Sequence, residues 1–284
     1  MSRHAFLIIA HDNFSVLERL LKALSHPDVD LYLHIDAKVK RLPGLDRDNP
    51  HLHLVEKRVD TRWGDISQIE TEYILLEAAF KEGTYSYYHI ISGTHFPLMP
   101  IDEMLRVFDE MAGKSVFCGL CVSTPYQERL KLRSYNLLTR HLAYGPKSVR
   151  RTAQIINRLG HRVQDVLKIE RNKGRSFHKA SNWASFTEEA VRLLLEKKPL
   201  VMKVFKHSFC GDEYFAPTVL MHFGLRDRIC NYANYLKVDM GEANPRVLHM
   251  DDYDKLVDSG YLFARKFDDA NLDVVERIQR TILS

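Results

Sequence analysis

The sequence predicts an α/β fold with a mostly parallel central sheet flanked by helices. Three observations carry this. Ala5–His11, AFLIIAH, is a continuous apolar run, as expected for a strand buried on both faces. After the polar stop at Asp12-Asn13, Val16, Leu17, Leu20, Leu21 and Leu24 recur at helical spacing over Ser15–Leu24. Asp30–Asp36, DLYLHID, then reads as a second strand. Strand, helix and strand in succession open a parallel sheet.

The later elements follow in order. His51–Val55 is a short third strand. Ile66–Lys81 is a helix striped by Ile69, Tyr73, Leu76 and Phe80. Tyr85–Ser92 is a fourth strand, Ile101–Met111 a helix and Ser115–Cys118 a fifth strand. From about 126 to 179 the chain turns basic, and its periodicity is confined to Ile155, Ile156, Leu159, Val163, Val166 and Leu167. Regular alternation resumes with a strand at Asn182–Phe186, helices at Thr187–Lys197 and about Asp212–His222, a strand at Leu262–Ala264 and a helix at Asn271–Leu283. No internal repeat and no linker rich in Gly, Ser or Pro divides the chain. It reads as one domain, 1–284, carrying a basic helical insertion.

Composition narrows the class. With 284 residues, 45% apolar and 27% charged, the chain can bury a sizeable core. No apolar run reaches the roughly 18 residues of a membrane span, and the N-terminus has no signal-peptide pattern. The expected compartment is a reducing cytoplasm. Four cysteines, Cys118, Cys121, Cys210 and Cys230, are no disulfide framework in a chain this long, and Cys118-x-x-Cys121 lacks a second half for a zinc site.

The net charge of +4 is unevenly spread. Arg140 to Lys179 holds eleven Lys and Arg against Asp165 and Glu170, a net of +9, so the remainder carries −5. Such a segment can be a solvated basic face or can meet an anionic partner. It lacks the aromatic interleaving and reader motifs of nucleic-acid binders, so no nucleic acid is expected. Arg150, Arg151, Arg158, Arg162 and Lys168 are interspersed with the apolar residues of its helix. That helix suits packing into the core, the more ordinary outcome, or peripheral contact with an anionic membrane.

Several nucleotide motifs are missing. His11-Asp12-Asn13 is no G-x-G-x-x-G, and no G-x-x-x-x-G-K-[ST], G-x-S-x-G or H-E-x-x-H occurs. Other residues carry chemistry. Asp36 ends the second strand, where parallel sheets bind ligands, and suits a ribose hydroxyl or a base N–H, or equally a cap or turn. Trp63-Gly64 precedes a helix N-terminus and can present a ring and free N–H groups to a pocket, or pack a loop. Glu213, in Gly211-Asp212-Glu213-Tyr214-Phe215, can serve as a general base or suit the helix dipole. Arg265-Lys266, with Arg246 some twenty positions earlier, can bind a diphosphate or form surface ion pairs.

Taken in order, IIAHDN, LHIDAK, RWGDISQIE, YYHIISGTHFPL, KASNWASFT, GDEYFAPTVL and LFARKFD resemble the "Branch" family of glycosyltransferases. It contains the core-2 and I-branching β-1,6-N-acetylglucosaminyltransferases and the peptide O-xylosyltransferases. The resemblance runs from roughly His4 to Asp268 and is weakest between about 126 and 175. It implies a GT-A-type, Rossmann-like fold and transfer from a UDP-sugar with inversion and no divalent metal. No Asp-x-Asp sits at a mid-domain strand end: Asp46-Arg47-Asp48 is in a loop before the third strand, and Asp251-Asp252 is near the C-terminus.

On the resemblance, Glu213 is the catalytic base. Arg265 and Lys266 hold the diphosphate, with Arg246 a third cation. Asp36 contacts the nucleoside, Trp63 and Gly64 wall the donor sugar, and His11 joins the donor site. His95 and Trp183 fall at the acceptor or sugar pocket. His95 replaces the acid of the family's S-G-x-D-[FY]-P segment, in Ser92-Gly93-Thr94-His95-Phe96-Pro97, which leaves UDP-GlcNAc, UDP-xylose, UDP-glucose and UDP-galactose all open as donors. The chain starts directly on its first strand, without the anchor and stem of animal members. It is expected to be a cytoplasmic, bacterial-type enzyme of surface polysaccharide synthesis, peripheral at the inner face of the membrane, with a glycan acceptor that a lipid diphosphate could carry. The contrasting expectation is an inactive sugar-nucleotide-binding or scaffold protein of such an assembly.

Overall fold

A computed structural model describes residues 2–46, 49–241 and 245–283. Strand β1 (His4–Ala10) leads to helix α1 (Phe14–Ala23), β2 (Val29–Ile35), β3 (Leu52–Leu54) and α2 (Ser67–Glu82). Next come β4 (Tyr87–Ser92), β5 (Phe96–Pro97), α3 (Ile101–Glu110) and β6 (Ser115–Phe117). The insertion holds β7 (Cys121–Val122), α4 (Pro125–Lys131), α5 (Thr139–Leu142), α6 (Lys147–Val166) and β8 (His178–Lys179). Then β9 (Ala184–Thr187), α7 (Glu188–Glu196), α8 (Lys198–Phe205), α9 (Phe215–His222), β10 (Ile229–Asn231) and β11 (Leu236–Val238) follow. The described chain closes with α10 (Tyr253–Val257), β12 (Phe263–Arg265) and α11 (Leu272–Ile282).

Seven strands form the main sheet in the order β10-β6-β9-β4-β1-β2-β3. β1 pairs in parallel with both β2 and β4, and β9 enters antiparallel between β4 and β6. Alternation along β1 serves two cores. Phe6, Ile8 and Ala10 face α1, α3 and α11, while Ala5 and Leu7 face α2, α7 and α9. The apolar runs are thus continuous because both faces are covered. A chain of polar core atoms is paired: His4 Nδ1 meets His89 Nε2 at 2.9 Å, His89 Nδ1 meets Ser185 Oγ at 2.7 Å, and Ser185 Oγ meets the Tyr235 hydroxyl at 2.9 Å. Burial lowers the His4 imidazole to about 4 and keeps His89 neutral. The mostly parallel sheet, flanking helices and basic insertion expected from the sequence are all present.

Three expectations change. The helix drawn from Asp212 to His222 splits into a 3₁₀ turn over Gly211–Glu213 and α9. Pro217 has no N–H for the Glu213 carbonyl, which accepts from the Ala180 N–H at 3.0 Å instead. Short strands β5, β7, β8, β10 and β11 appear where no pattern announced them, because two or three residues are too few for a period. The apolar stripe of α6 does not pack into the core: only Ala153 and Gln164 of that helix are buried. The four cysteines are free, with Cys121 exposed on β7. Of the Asp46-Arg47-Asp48 loop, Arg47 and Asp48 lie outside the described residues.

The insertion is tied down at its base. Antiparallel β7 and β8 join its two ends. Buried Arg171 donates to the carbonyls of Val204 at 2.9 Å and Ser134 at 3.3 Å, with its guanidinium 5.0 Å from the Tyr135 ring centre. Removing it strands buried carbonyls at about 1–3 kcal/mol each. In Arg171→Leu the sheet should stay folded while amides of 133–170 exchange at least about tenfold faster, a shift of ~1.4 kcal/mol in local opening. Unchanged exchange there, measured by mass spectrometry, would show that Arg171 does not pin the insertion.

Candidate active site

β1, β2 and β4 end at one level. The Asp36 N–H donates to the Ala10 carbonyl and the Gly93 N–H to the Ile9 carbonyl, each at 2.9 Å. A cavity of about 160 Å³ sits over these carboxyl ends, the usual ligand position in an open parallel sheet. His11, Asp36, Trp63, Trp183, Arg265 and Lys266 all line it, so six of the ten residues singled out from the sequence converge. A larger groove of about 930 Å³ between α1, α11 and the loop before β3 contains none of them.

The cations are the distinctive feature. Among the described residues no carboxylate pairs with Arg265 or Lys266. The Arg265 guanidinium lies 4.9 Å from the Trp183 ring centre, its Nε is buried without a partner, and burial lowers it to about 10. Arg246 is different. It is held by Asp252 at 2.8 and 2.5 Å and by Asp239 at 2.6 Å, and it does not line the cavity.

Asp36 is almost fully buried. Its Oδ1 accepts from the Lys38 N–H at 2.7 Å, and its Oδ2 accepts from Lys38 Nζ at 2.6 Å and the Thr61 N–H at 3.1 Å. It therefore closes a turn and faces the cavity at once. Two carboxylate oxygens accept about four bonds, so one site on Oδ1 stays open. Trp63 is 50% exposed and meets Phe209 edge-on at 5.3 Å. Gly64, at φ +76°, lets the chain pass so close to Phe209 that a Cβ would stand 2.4 Å from its ring. His95 lies fully buried below the cavity floor, 4.8 Å from Trp183. Its Nδ1 accepts from the Ser92 N–H at 3.1 Å, which puts the proton of the neutral ring on Nε2, itself unpartnered. Burial and then Arg265 hold it well below the ordinary histidine range.

Glu213 stands beside the cavity without lining it. Its Oε2 is 2.9 Å from Lys131 Nζ and 3.4 Å from Lys179 Nζ. It is linked to the wall on both sides, through Ala180, three residues before Trp183, and through Asp212, whose Oδ2 accepts from Gln68 at 2.8 Å. Gln68 and Glu72, on α2, line the cavity. Burial, then Glu213, pushes Asp212 up to about 7, and burial, then Asp212, pushes Glu72 well above the carboxylate range. Among the described residues no group of three or more His, Cys, Asp or Glu is placed to hold a metal ion.

The model of the family described as "Core-2/I-Branching enzyme" matches residues 4–235. The chain belongs to the core-2/I-branching enzyme family. The family is one of glycosyltransferases. No curated protein matches it. Among solved structures it is similar to TarS 1-349 of S. aureus, at 10% identity and a TM-score of 0.41 over 99% of this chain and 64% of that one. It is also similar to a CMP:2-keto-3-deoxy-manno-octonic acid synthetase complexed with CTP, at 8% identity and a TM-score of 0.38 over 99% of both chains. A putative nucleotide-diphospho-sugar transferase from Desulfovibrio desulfuricans G20 matches at 15% identity and a TM-score of 0.25, over 41% of this chain and 58% of that one.

The family match ends before Arg246, Arg265 and Lys266, short of the resemblance traced to Asp268, so Arg265 and Lys266 enter the site of this branching-family chain by geometry, and Arg246 does not. The sequence reading passed over Gln68, Glu72, Asp212, Tyr144 and Asn182. A signal existed for the first two: they are four residues apart and so share one face of α2. Tyr144 brings the insertion to the rim, where Thr139 Oγ1 donates to Asp65 at 2.6 Å and Arg140 binds Asp60 at 2.9 Å.

Gly64→Ala should cost about 1–3 kcal/mol, because positive φ and the Phe209 ring both oppose a Cβ. A thermal midpoint equal to the parent's would contradict the close approach. The raised Asp212 carboxyl holds its proton in the folded state at pH values where the unfolded chain has lost it. Folding stability should therefore fall as pH rises from near 3.8 to about 7 and level off above. Glu72, raised in the same sense, adds to the slope. Asp212→Asn should flatten this window in urea titrations, and an undiminished slope would rule Asp212 out as its source.

Proposed function

We propose that the chain is an inverting, metal-independent glycosyltransferase. It moves a sugar (GlcNAc, xylose or another hexose) from a UDP-sugar to a hydroxyl of a glycan acceptor in polysaccharide synthesis. The observation that carries the reading is the unpaired couple Arg265 and Lys266 over the strand ends, in one cavity with Asp36 and Trp183. A part-buried cation without a counter-charge draws an anion, and the nucleotide diphosphate supplies one. The open acceptor site of Asp36 suits a ribose hydroxyl. Trp63 and Gly64, with His11, wall the donor, and Trp183 with His95 behind it shapes the sugar or acceptor side.

In the displacement, the acceptor oxygen bonds to the anomeric carbon as the bond from that carbon to the β-phosphate oxygen breaks. UDP departs with the electron pair. Arg265 and Lys266 stabilise the charge growing on the phosphate, each contributing about 10²–10³-fold. Glu213 takes the acceptor proton, contributing about 10²–10⁴-fold, and its two lysines hold it oriented.

A panel of UDP-sugars, assayed for UDP release with acceptor glycans, tests this. Glu213→Gln should lose about 10²–10⁴-fold in turnover yet bind UDP as the parent does. Lys266→Ala should weaken UDP binding and slow turnover together. Activity should persist in excess chelator. Loss in chelator with recovery on added Mn²⁺ would end the cation-pair account, and binding of UDP without release from any donor would favour the inactive scaffold.

A further inference from the structure

Helix α6 exposes what helices of its size normally bury. Val166 is 80% exposed, Val163 55%, Leu159 51% and Ile155 48%. Spaced three and four residues apart, they form one row along the helix, widened by Ile156. Arg151, Arg158 and Arg162 make a second row at seven- and four-residue spacing along the edge of the first. Among the described residues none of these three arginines pairs with a carboxylate, and neither does exposed Lys147 or Lys168. The one acid of α6, Asp165, is engaged by Arg129.

We infer that α6 is a docking surface for an anionic lipid bilayer, apolar row in the acyl boundary and cations on the lipid phosphates. An apolar row beside unpaired cations matches a surface that is apolar inside and anionic at its rim. A second copy of the chain is a poor fit, because a two-fold contact presents the same face twice, and that face carries unpaired cations with its one acid already engaged. The apolar row has no counterpart on a nucleic acid. The surface belongs to the insertion that supplies Tyr144 to the cavity rim, so docking would bring the cavity toward the bilayer. This inference does not depend on the donor or mechanism proposed above.

Sedimentation with vesicles at low salt tests it. Equimolar phosphatidylcholine and phosphatidylglycerol should pull the protein down, with a partition coefficient about tenfold or more above that on pure phosphatidylcholine. Raising the salt should reverse the difference. Changing Arg151, Arg158 and Arg162 together to Gln, or Leu159 and Val163 together to Ser, should each lower binding about tenfold. Both variants should keep the parent's thermal midpoint, since these side chains are exposed. Failure to bind anionic vesicles would overturn the inference, as would equal binding to both compositions. So would a dimer in solution that the Leu159 and Val163 changes dissociate.

Discussion

The register of three parallel strands sets the site. β1 is held on both sides, with Ala10 opposite Ile35 and Ile9 opposite Ser92. The chain therefore leaves β1, β2 and β4 at the same height, and His11, Asp36 and the Ser92–Thr94 turn arrive together. A one-residue slip in any pair would exchange the two faces and send these exits apart. The long apolar runs thus fix the level at which the polar residues gather as well as the core.

Around this floor the polar groups divide by partner. Arg246, Arg62, Arg140 and Lys38 are neutralised by Asp239, Asp252, Asp60 and Asp36, and work as ties. Among the described residues, Arg265 and Lys266 have no such partner. A guanidinium resting on a tryptophan face instead of a carboxylate is already partly desolvated and pays less to meet an incoming anion. On the opposite side, Glu72 lines the cavity and is raised by burial and Asp212, and Asp212 behind it is raised by burial and Glu213. A cationic side and a side of raised carboxyls thus meet at one small cavity.

How much was legible followed from length and from partners. β1, β2, β4, α1 and α2 could be read because a period needs five or more residues to show. β5, β7 and β11 are held by pairing partners that sequence does not display. The break before α9 was written in Pro217, whose consequence depends on where the Glu213 carbonyl turns. Asp36, Trp63, Trp183, Arg265 and Lys266 could be placed because they sit at element ends. Arg246 looked like their equal, and only folding revealed the two aspartates beside it. The exposure of α6 was equally hidden, since one amphipathic pattern serves a core face and a free one alike.

The antiparallel entry of β9 between β4 and β6 bears on how the chain is made. β4 is complete at Ser92, but its neighbour on that side begins at Ala184, beyond the whole insertion. On a ribosome adding about 5–20 residues each second, the edge of β4 would stay unpaired for several seconds. His89, whose Nδ1 awaits Ser185, waits with it. An open strand edge is a template for wrong pairing. The order of synthesis thus exposes the strand next to the site for longer than any local contact requires.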